Sequence, residues 1–286
     1  MKKILAIVTL LALPFSGFAQ EEKEEKSNIQ TYTPSKLLKK GQWDIKWFNN
    51  LYTETKERVK GIKRDKDREN YFTTSFDIFT GISETSSLNV GLLFDIRSNT
   101  IGDRSAFDVF EFDSDKTTAR SGLTSIAPAV KFNPLKKVSN FTIQTAFHIP
   151  LVDNESENSV FLDQTAYTFQ NRFFYDYTFP SGDWQLFTEL NTEYNFGDED
   201  SFANKTFVLA PGVFMSYFPS KETTVLGFVQ HQQRMGDFEQ DYTALGFGGK
   251  YQLTQVLNLE VLYSNFVRGE DTGLGQSFNI GLRALF

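Results

Sequence analysis

From Gly41 onward, apolar and polar side chains alternate with a period of two. Between Trp184 and Phe196, the residues Trp184, Leu186, Thr188, Leu190, Thr192, Tyr194 and Phe196 share one face; Gln185, Phe187, Glu189, Asn191, Glu193 and Asn195 share the other. Successive side chains of an extended chain point to opposite sides, so this is a strand, and one longer than the ~5–6 residues of an average soluble strand. The same alternation runs through Leu88-Val90-Leu92-Phe94-Ile96, Phe141-Ile143-Thr145-Phe147-Ile149, Tyr167-Phe169-Asn171-Phe173-Tyr175-Tyr177-Phe179, Leu257-Leu259-Val261-Tyr263 and Phe278-Ile280-Leu282-Ala284-Phe286. No 3.6-residue apolar stripe follows Ala19.

The pattern predicts twelve strands, over 41–56, 70–81, 87–97, 119–132, 139–150, 166–179, 183–196, 205–218, 222–234, 241–253, 256–268 and 275–286. Their connections alternate in length. Short ones fall at 83–86, 133–138, 180–182, 219–221 and 254–255; longer ones fall at 57–69, 98–118, 151–165, 197–204, 235–240 and 269–274. An even number of long strands with short turns at one end and long loops at the other predicts an all-β fold, a closed antiparallel transmembrane β-barrel with short periplasmic turns and long extracellular loops. A two-sheet sandwich could also bury the apolar faces, but not with strands of this length. Aromatic residues also gather at the strand ends. Trp43, Trp47, Tyr177, Phe179, Trp184, Tyr217, Phe218, Tyr251 and Phe286 stand at the short-turn end, and Tyr52, Tyr71, Phe72, Tyr167, Tyr194, Phe196 and Phe207 at the long-loop end. Two such girdles fit the two headgroup layers of a bilayer.

Residues 1–19 read as a secretory signal peptide: Lys2 and Lys3 precede an apolar run, and Gly17-Phe18-Ala19 supplies the small residues for cleavage after Ala19. Residues 20–40 are polar and charge-mixed, predicting a flexible periplasmic lead-in to a barrel over 41–286. Export through this signal and a barrel together place the chain in the outer membrane. Composition narrows the chemistry. The net charge of −7 argues against nucleic acid, which demands a basic face. Cysteine is absent and His numbers 2, which removes thiol chemistry and starves histidine-based sites. No cofactor and no metal site is expected.

A chain closing on an alternating strand with Phe278, Ile280, Leu282 and Phe286 resembles bacterial outer-membrane barrel proteins. The resemblance implies that these four residues form the signal read by the barrel assembly machinery, and that membrane lipid surrounds the wall. The segments Thr33-Pro34 through Lys40-Gly41-Gln42-Trp43 and Thr80-Gly81-Ile82-Ser83-Glu84-Thr85-Ser86-Ser87-Leu88-Asn89-Val90-Gly91 resemble the meta-pathway phenol-degradation outer-membrane barrels. That resemblance covers the first third of the chain and implies movement of small molecules across the outer membrane.

With the apolar face turned to lipid, the ionisable residues expected in the lumen are Asp44, Lys46, Asp77, Asp95, Arg97, Lys131, His148, Arg172, Asp176, Glu189, Glu193, His231, Lys250, Glu260 and Arg283. Acids and bases nearly balance. Such a set serves either as a solute-selecting pore or as a salt-bridge network filling a narrow barrel. Small inward residues, Gly91, Ala127, Ala129, Ala146, Gly246 and Gly248, point toward open space. Register counted from the Pro180-Ser181-Gly182 turn pairs Arg172 with Glu189, and closure of the barrel brings Arg283 to Asp44. The loops carry acids, among them Asp103, Asp108, Glu111, Asp113, Asp115, Asp153, Glu155, Glu157, Asp163 and the Asp198-Glu199-Asp200 run, and so predict an acidic extracellular vestibule or simply soluble loops. Loop 98–118, with Phe107, Val109, Phe110 and Phe112, either folds inward as a constriction or continues its hairpin above the membrane.

Three classes of function stay open. The first is passage or binding of a small solute, the second an adhesion or structural barrel acting through its loops. The third, a barrel-embedded lipid hydrolase, lacks its constellation: neither His148 nor His231 has a serine two residues on. The two histidines would stand roughly 20 Å apart across the lumen. No residue is expected to be catalytic.

Overall fold

The computed structural model describes residues 33–197 and 202–286. The signal peptide expected over 1–19 lies outside them, as does the Asp198-Glu199-Asp200 run.

Twelve antiparallel strands build one closed wall: β1 (Trp43–Val59), β2 (Ile62–Gly81), β3 (Leu88–Ile101), β4 (Ala119–Phe132), β5 (Phe141–Pro150), β6 (Tyr167–Thr178), β7 (Trp184–Phe196), β8 (Thr206–Tyr217), β9 (Thr223–Gly236), β10 (Gln240–Gln252), β11 (Leu257–Glu270) and β12 (Gln276–Leu285). Each pairs with its sequence neighbours, and β1 pairs with β12 from Asp44↔Leu285 to Thr53↔Gln276. A two-residue strand, Thr272–Gly273, extends that seam by pairing with Glu57 and Arg58. Closure leaves no free sheet edge, so the ladder pairs the wall's backbone where water cannot supply a partner. At the seam's lower end Trp43 and Phe286 exchange backbone hydrogen bonds of 2.7 and 3.0 Å. Deleting Phe286 is therefore expected to lower the folded yield in the outer membrane while leaving conductance per folded barrel unchanged. A heat-modifiability gel combined with single-channel recording checks this.

The first long connection differs from expectation. Over 57–69 the chain is not a loop; β1 and β2 continue upward and meet in a tight turn at Lys60 and Gly61, both with positive φ, 50° and 79°. Alternation is lost there because the ladder rises above the bilayer, where no apolar face is needed. Cross-strand charge replaces it, as in the 2.5 Å Arg64–Glu57 pair.

Side-chain parity sorts the two faces. Trp43, Trp47, Trp184, Tyr217 and Tyr251 stand exposed on the outer face near the short turns, and Tyr167, Phe169, Tyr194, Phe196 and Phe207 near the long loops. Trp184 and Tyr194 are ten residues apart on β7, which at ~3.3 Å per residue and a tilt of ~40° spans roughly 25 Å, the height of an outer-membrane apolar band. Three members of the expected girdles turn inward instead. Tyr52 donates to Glu54 at 2.6 Å, Tyr71 donates to Glu69, and Phe218 lines the lumen.

Candidate functional site: a plugged amphipathic lumen

The periplasmic mouth is occupied by the chain's own N-terminal segment. The expectation of a flexible lead-in over 20–40 fails for its described part, because residues 33–38 pack inside the mouth and Lys39 and Lys40 run out to its rim. Ser35 is fully buried, donates to the Asp176 carboxylate of β6, and accepts from Thr142 of β5 at its carbonyl. Thr33 donates to Gln185 of β7 at 3.4 Å, and the Leu38 N–H donates to Asn89 of β3 at 3.2 Å. Leu38 then completes a small core with Phe79, Leu93, Ala127, Ala129 and Ala146, all inward-facing. Lys40 bridges to Gly81, where a Cβ would come within 2.2 Å of the Lys39 carbonyl oxygen; that approach needs glycine. Within the described part, Thr33, Ser35 and the Leu38 amide are the groups that satisfy inward-facing wall residues.

Above the plug lies a chamber of about 620 Å³, with Thr33 and Pro34 in its floor. Ion pairs stand around the chamber. Arg172 reaches Glu189 at 2.7 Å, Lys250 reaches Glu260 at 2.7 Å, and Arg283 grips Asp44 with contacts of 2.5 and 2.7 Å. Lys46 and Asp77, opposite each other in the β1–β2 ladder, also face the chamber, with the Lys46 ammonium 4.6 Å from the centre of the Phe48 ring. An aromatic surface shares this lumen, and the Arg172–Glu189 pair sits directly on it, on β6 and β7 beside Phe174 and Phe187. Phe174, Phe187, Phe214 and Phe228, one from each of β6 to β9, form a continuous arc with ring centres 6.1, 5.5 and 5.2 Å apart. Lys131 stands at the end of the arc over Phe79 and Phe174, at 4.7 and 5.8 Å, and Arg172 covers the other part of Phe174 at 5.1 Å.

The inward glycines do not keep the passage open. A Cβ on Gly91 would strike the Phe79 ring at 2.4 Å, and one on Gly246 the Phe228 ring at 2.2 Å. Gly248 meets Leu262 and the Val261 carbonyl, while Ala127, Ala129 and Ala146 are packed in the core at the plug. These small residues make room for neighbouring side chains.

The outer end is narrowed by residues 151–166, not by loop 98–118. Arg97 of β3 pairs with Asp163 at 3.0 Å, and Asn99 donates to the carbonyls of Phe161 and Leu162 at 2.8 and 3.0 Å. Arg120 of β4 donates to the carbonyls of Asn154, Glu155 and Val160 at 2.9, 2.8 and 3.2 Å. Beneath this loop is a second cavity of about 160 Å³, bordered by Asp95, His148, Gln170 and Glu193, which also meet one another's neighbours: Asp95 accepts from Ser75 and Ser125, and Glu193 from Gln170 and Asn191. His148 lies 3.4 Å from Gln170.

Fourteen of the fifteen expected lumen residues therefore face inward. The exception is His231. On β9 the inward positions are Thr224, Leu226, Phe228 and Gln230, so His231 shares the outer face with Val225 and Val229 and bonds Thr243 at 2.9 Å. The aromatic arc misled the assignment, because it places apolar residues on the inner face of this strand. The two histidines thus lie on opposite sides of the wall and share no site. Sequence reasoning also missed the arc itself, the plug and Arg120. The available signal was phenylalanine at polar-parity positions in four successive strands.

The vestibule is reduced as well. Loop 98–118 lies on the outer wall, so its acids do not border the mouth; Asp113, Asp115 and Glu111 hold Arg104 instead, at 2.6, 2.9 and 3.5 Å. Glu157 is within 3.3 Å of Lys116.

A family described as "Putative MetA-pathway of phenol degradation" matches residues 95–283, from β3 to β12. The chain belongs to this family. Among solved structures it resembles an outer membrane channel from Pseudomonas putida F1, with a TM-score of 0.69 and 9% identity over 88% of this chain and 98% of that one. It also resembles the β-domain of the Bordetella autotransporter BrkA, with a TM-score of 0.56 and 11% identity over 85% and 99% of the two chains. These likenesses share the closed-barrel fold. No curated protein matches the sequence.

Proposed function

We propose that this family member resides in the outer membrane, delivered by the 1–19 signal and the barrel assembly machinery, and admits small solutes with an aromatic or apolar body and a polar group. The observation that carries the reading is the amphipathic chamber. Phe187, Phe214 and Phe228 of the arc border it and offer ring surface, and the ion pairs around them offer fixed charges to the polar end. A purely hydrophilic pore would have no use for a continuous ring surface, and a sealed structural barrel no use for a 620 Å³ chamber beside it.

Single-channel recording with matched ions tests this. Benzoate and benzyltrimethylammonium are expected to block the current transiently, whereas acetate and tetramethylammonium are not. Phe214→Ala combined with Phe228→Ala should erase that difference. Equal block by aromatic and aliphatic ions, or a barrel that stays silent, would refute the reading.

The ion pairs around the chamber set ion preference. Glu189→Gln removes the carboxylate facing Arg172 and raises the chamber charge by one unit. The reversal potential in a salt gradient is expected to move toward anions with the fold intact, since lumen substitutions leave the lipid contacts unchanged.

A further inference from the structure

Loop 102–118 takes no part in the lumen. Its centre is a short 3-10 helix, Ala106–Glu111, started by a reciprocal cap: the Ser105 hydroxyl accepts from the Phe107 N–H, and the Asp108 carboxylate accepts from the Ser105 N–H at 3.0 Å. The helix lies flat against the outside of the barrel. Val109 is fully buried against Leu51 and Phe72, and the rings of Phe110 and Phe112 meet Phe72 edge-on at 5.0 and 5.9 Å. Leu51 and Phe72 belong to the outer face, in line with Trp47 and Phe76, which stack at 6.3 Å.

The wall underneath is polar. Asn70, Ser98 and Thr100 face outward and are at most 1% exposed beneath the loop. Asn70 donates to Thr100 at 2.9 Å and to the Ser105 carbonyl at 3.3 Å. Left uncovered, these groups would meet hydrocarbon with too few partners. Over them the loop presents its own apolar surface, with Phe107 70% exposed, Phe110 50% and Phe112 43%. Leu51 stands eight residues above Trp43 on β1, or roughly 20 Å up an apolar band about 25 Å tall. The exposed rings therefore continue the lipid-facing belt at the level of the outer leaflet. The polar side of the loop points the other way, with Arg104 gathered between Asp113 and Asp115 and Asp115 capping the turn at Thr117–Ala119.

We propose that loop 102–118 is embedded in the outer leaflet: Phe107, Phe110 and Phe112 insert among lipid acyl chains, and the loop is a lipid-anchoring element fixed to the outer wall. The tie at Asp115 makes it a rigid one. Its carboxyl is held far below the ordinary range, first by the Thr118 N–H. The ionised form is thus favoured in the folded loop, so its contribution is complete above the ordinary Asp range and is lost only as the pH falls well below it; docking is expected to be unchanged between about pH 7 and pH 5.

The chain lacks cysteine, so single nitroxide labels can be placed cleanly on the full-length barrel refolded in phosphatidylcholine vesicles. Labels at Phe107→Cys and Phe110→Cys are expected to collide more with molecular oxygen than with a water-soluble nickel chelate, matching the lipid-facing control Phe247→Cys. A label at Ser114→Cys should show the reverse. Preference for the nickel chelate at 107 and 110 would place the rings in water and overturn the proposal. Protection from both reagents would overturn it too, by showing that protein, such as a second copy of the chain, covers them.

Discussion

A barrel that begins at Gly41 is expected to conduct several-fold more current than the full chain. The plug is held by a definable set of contacts: hydrogen bonds from Thr33 and Ser35, one accepted by Ser35 from Thr142, one from the Leu38 amide, and the burial of Leu38 among Phe79, Leu93 and three alanines. None of these is a wall hydrogen bond, so the twelve-strand ladder closes without them. Removing the segment converts the chamber floor at Thr33 and Pro34 into an opening. The exposed ends of Asp176, Asn89 and Gln185 would then be hydrated, which costs little in an aqueous mouth. Gly81→Val provides an independent route to the same state. Its side chain would collide with the backbone carbonyls of Lys39 and Leu38, a clash that no rotamer relieves, and so expel the segment with the chain otherwise complete. Both variants should show larger unitary conductance than wild type at unchanged heat-modifiability. If both conduct like the full chain, the segment is not what limits passage.

How much of this was legible beforehand depends on which physical signal each feature leaves. The twelve strands and their short turns follow from period-two alternation, which the bilayer enforces wherever one face meets lipid. Where lipid is absent the signal stops, and the upper part of β1 and β2 was read as a loop over 57–69. Register from a tight turn and from barrel closure was enough to bring Arg172 near Glu189 and Asp44 near Arg283. Inward orientation was legible where the inner face stays mostly polar, as on β6 and β7 despite Phe174 and Phe187, and misjudged at His231, where Leu226 and Phe228 stand in succession on the inner face of the same strand. The plug and the inward fold of residues 151–166 rest on single side chains bonding distant backbone. Asn89 to Leu38 and Arg120 to Val160 are contacts of this kind, and they leave no periodic trace.

Arg120→Ala should release the outer constriction and produce the largest change above the chamber. Arg120 is 8% exposed and spends its guanidinium on three loop carbonyls, with Glu157 4.0 Å away. Hydrogen bonds to a charged group contribute about 1.5–3 kcal/mol each, though several on one fork are not additive, so truncation should weaken loop docking by on the order of 3 kcal/mol. Much of the effect comes from the loss of the guanidinium at the Asn154 and Val160 carbonyls, since the Glu155 carbonyl keeps the Leu162 N–H at 2.8 Å. Arg97 to Asp163 and Asn99 to Phe161 and Leu162 hold the far half of the loop, while the near half keeps the Asn158 amide on the Lys116 carbonyl, the Lys116–Glu157 pair and the Phe202 N–H on Glu155. Those near-half ties lie at the rim, so the segment around Asn154 to Val160 is expected to open more often without coming away entirely. A glutamate-specific protease should then cut at Glu155 or Glu157 in intact vesicles, and current fluctuations should increase as the loop moves in and out of the mouth. Arg120→Lys keeps the charge but cannot span the carbonyls of Asn154, Glu155 and Val160 at once, so its protection should fall between the two. Cleavage no faster in Arg120→Ala than in wild type would show that the other ties suffice to hold the loop, and the role given to Arg120 would be withdrawn.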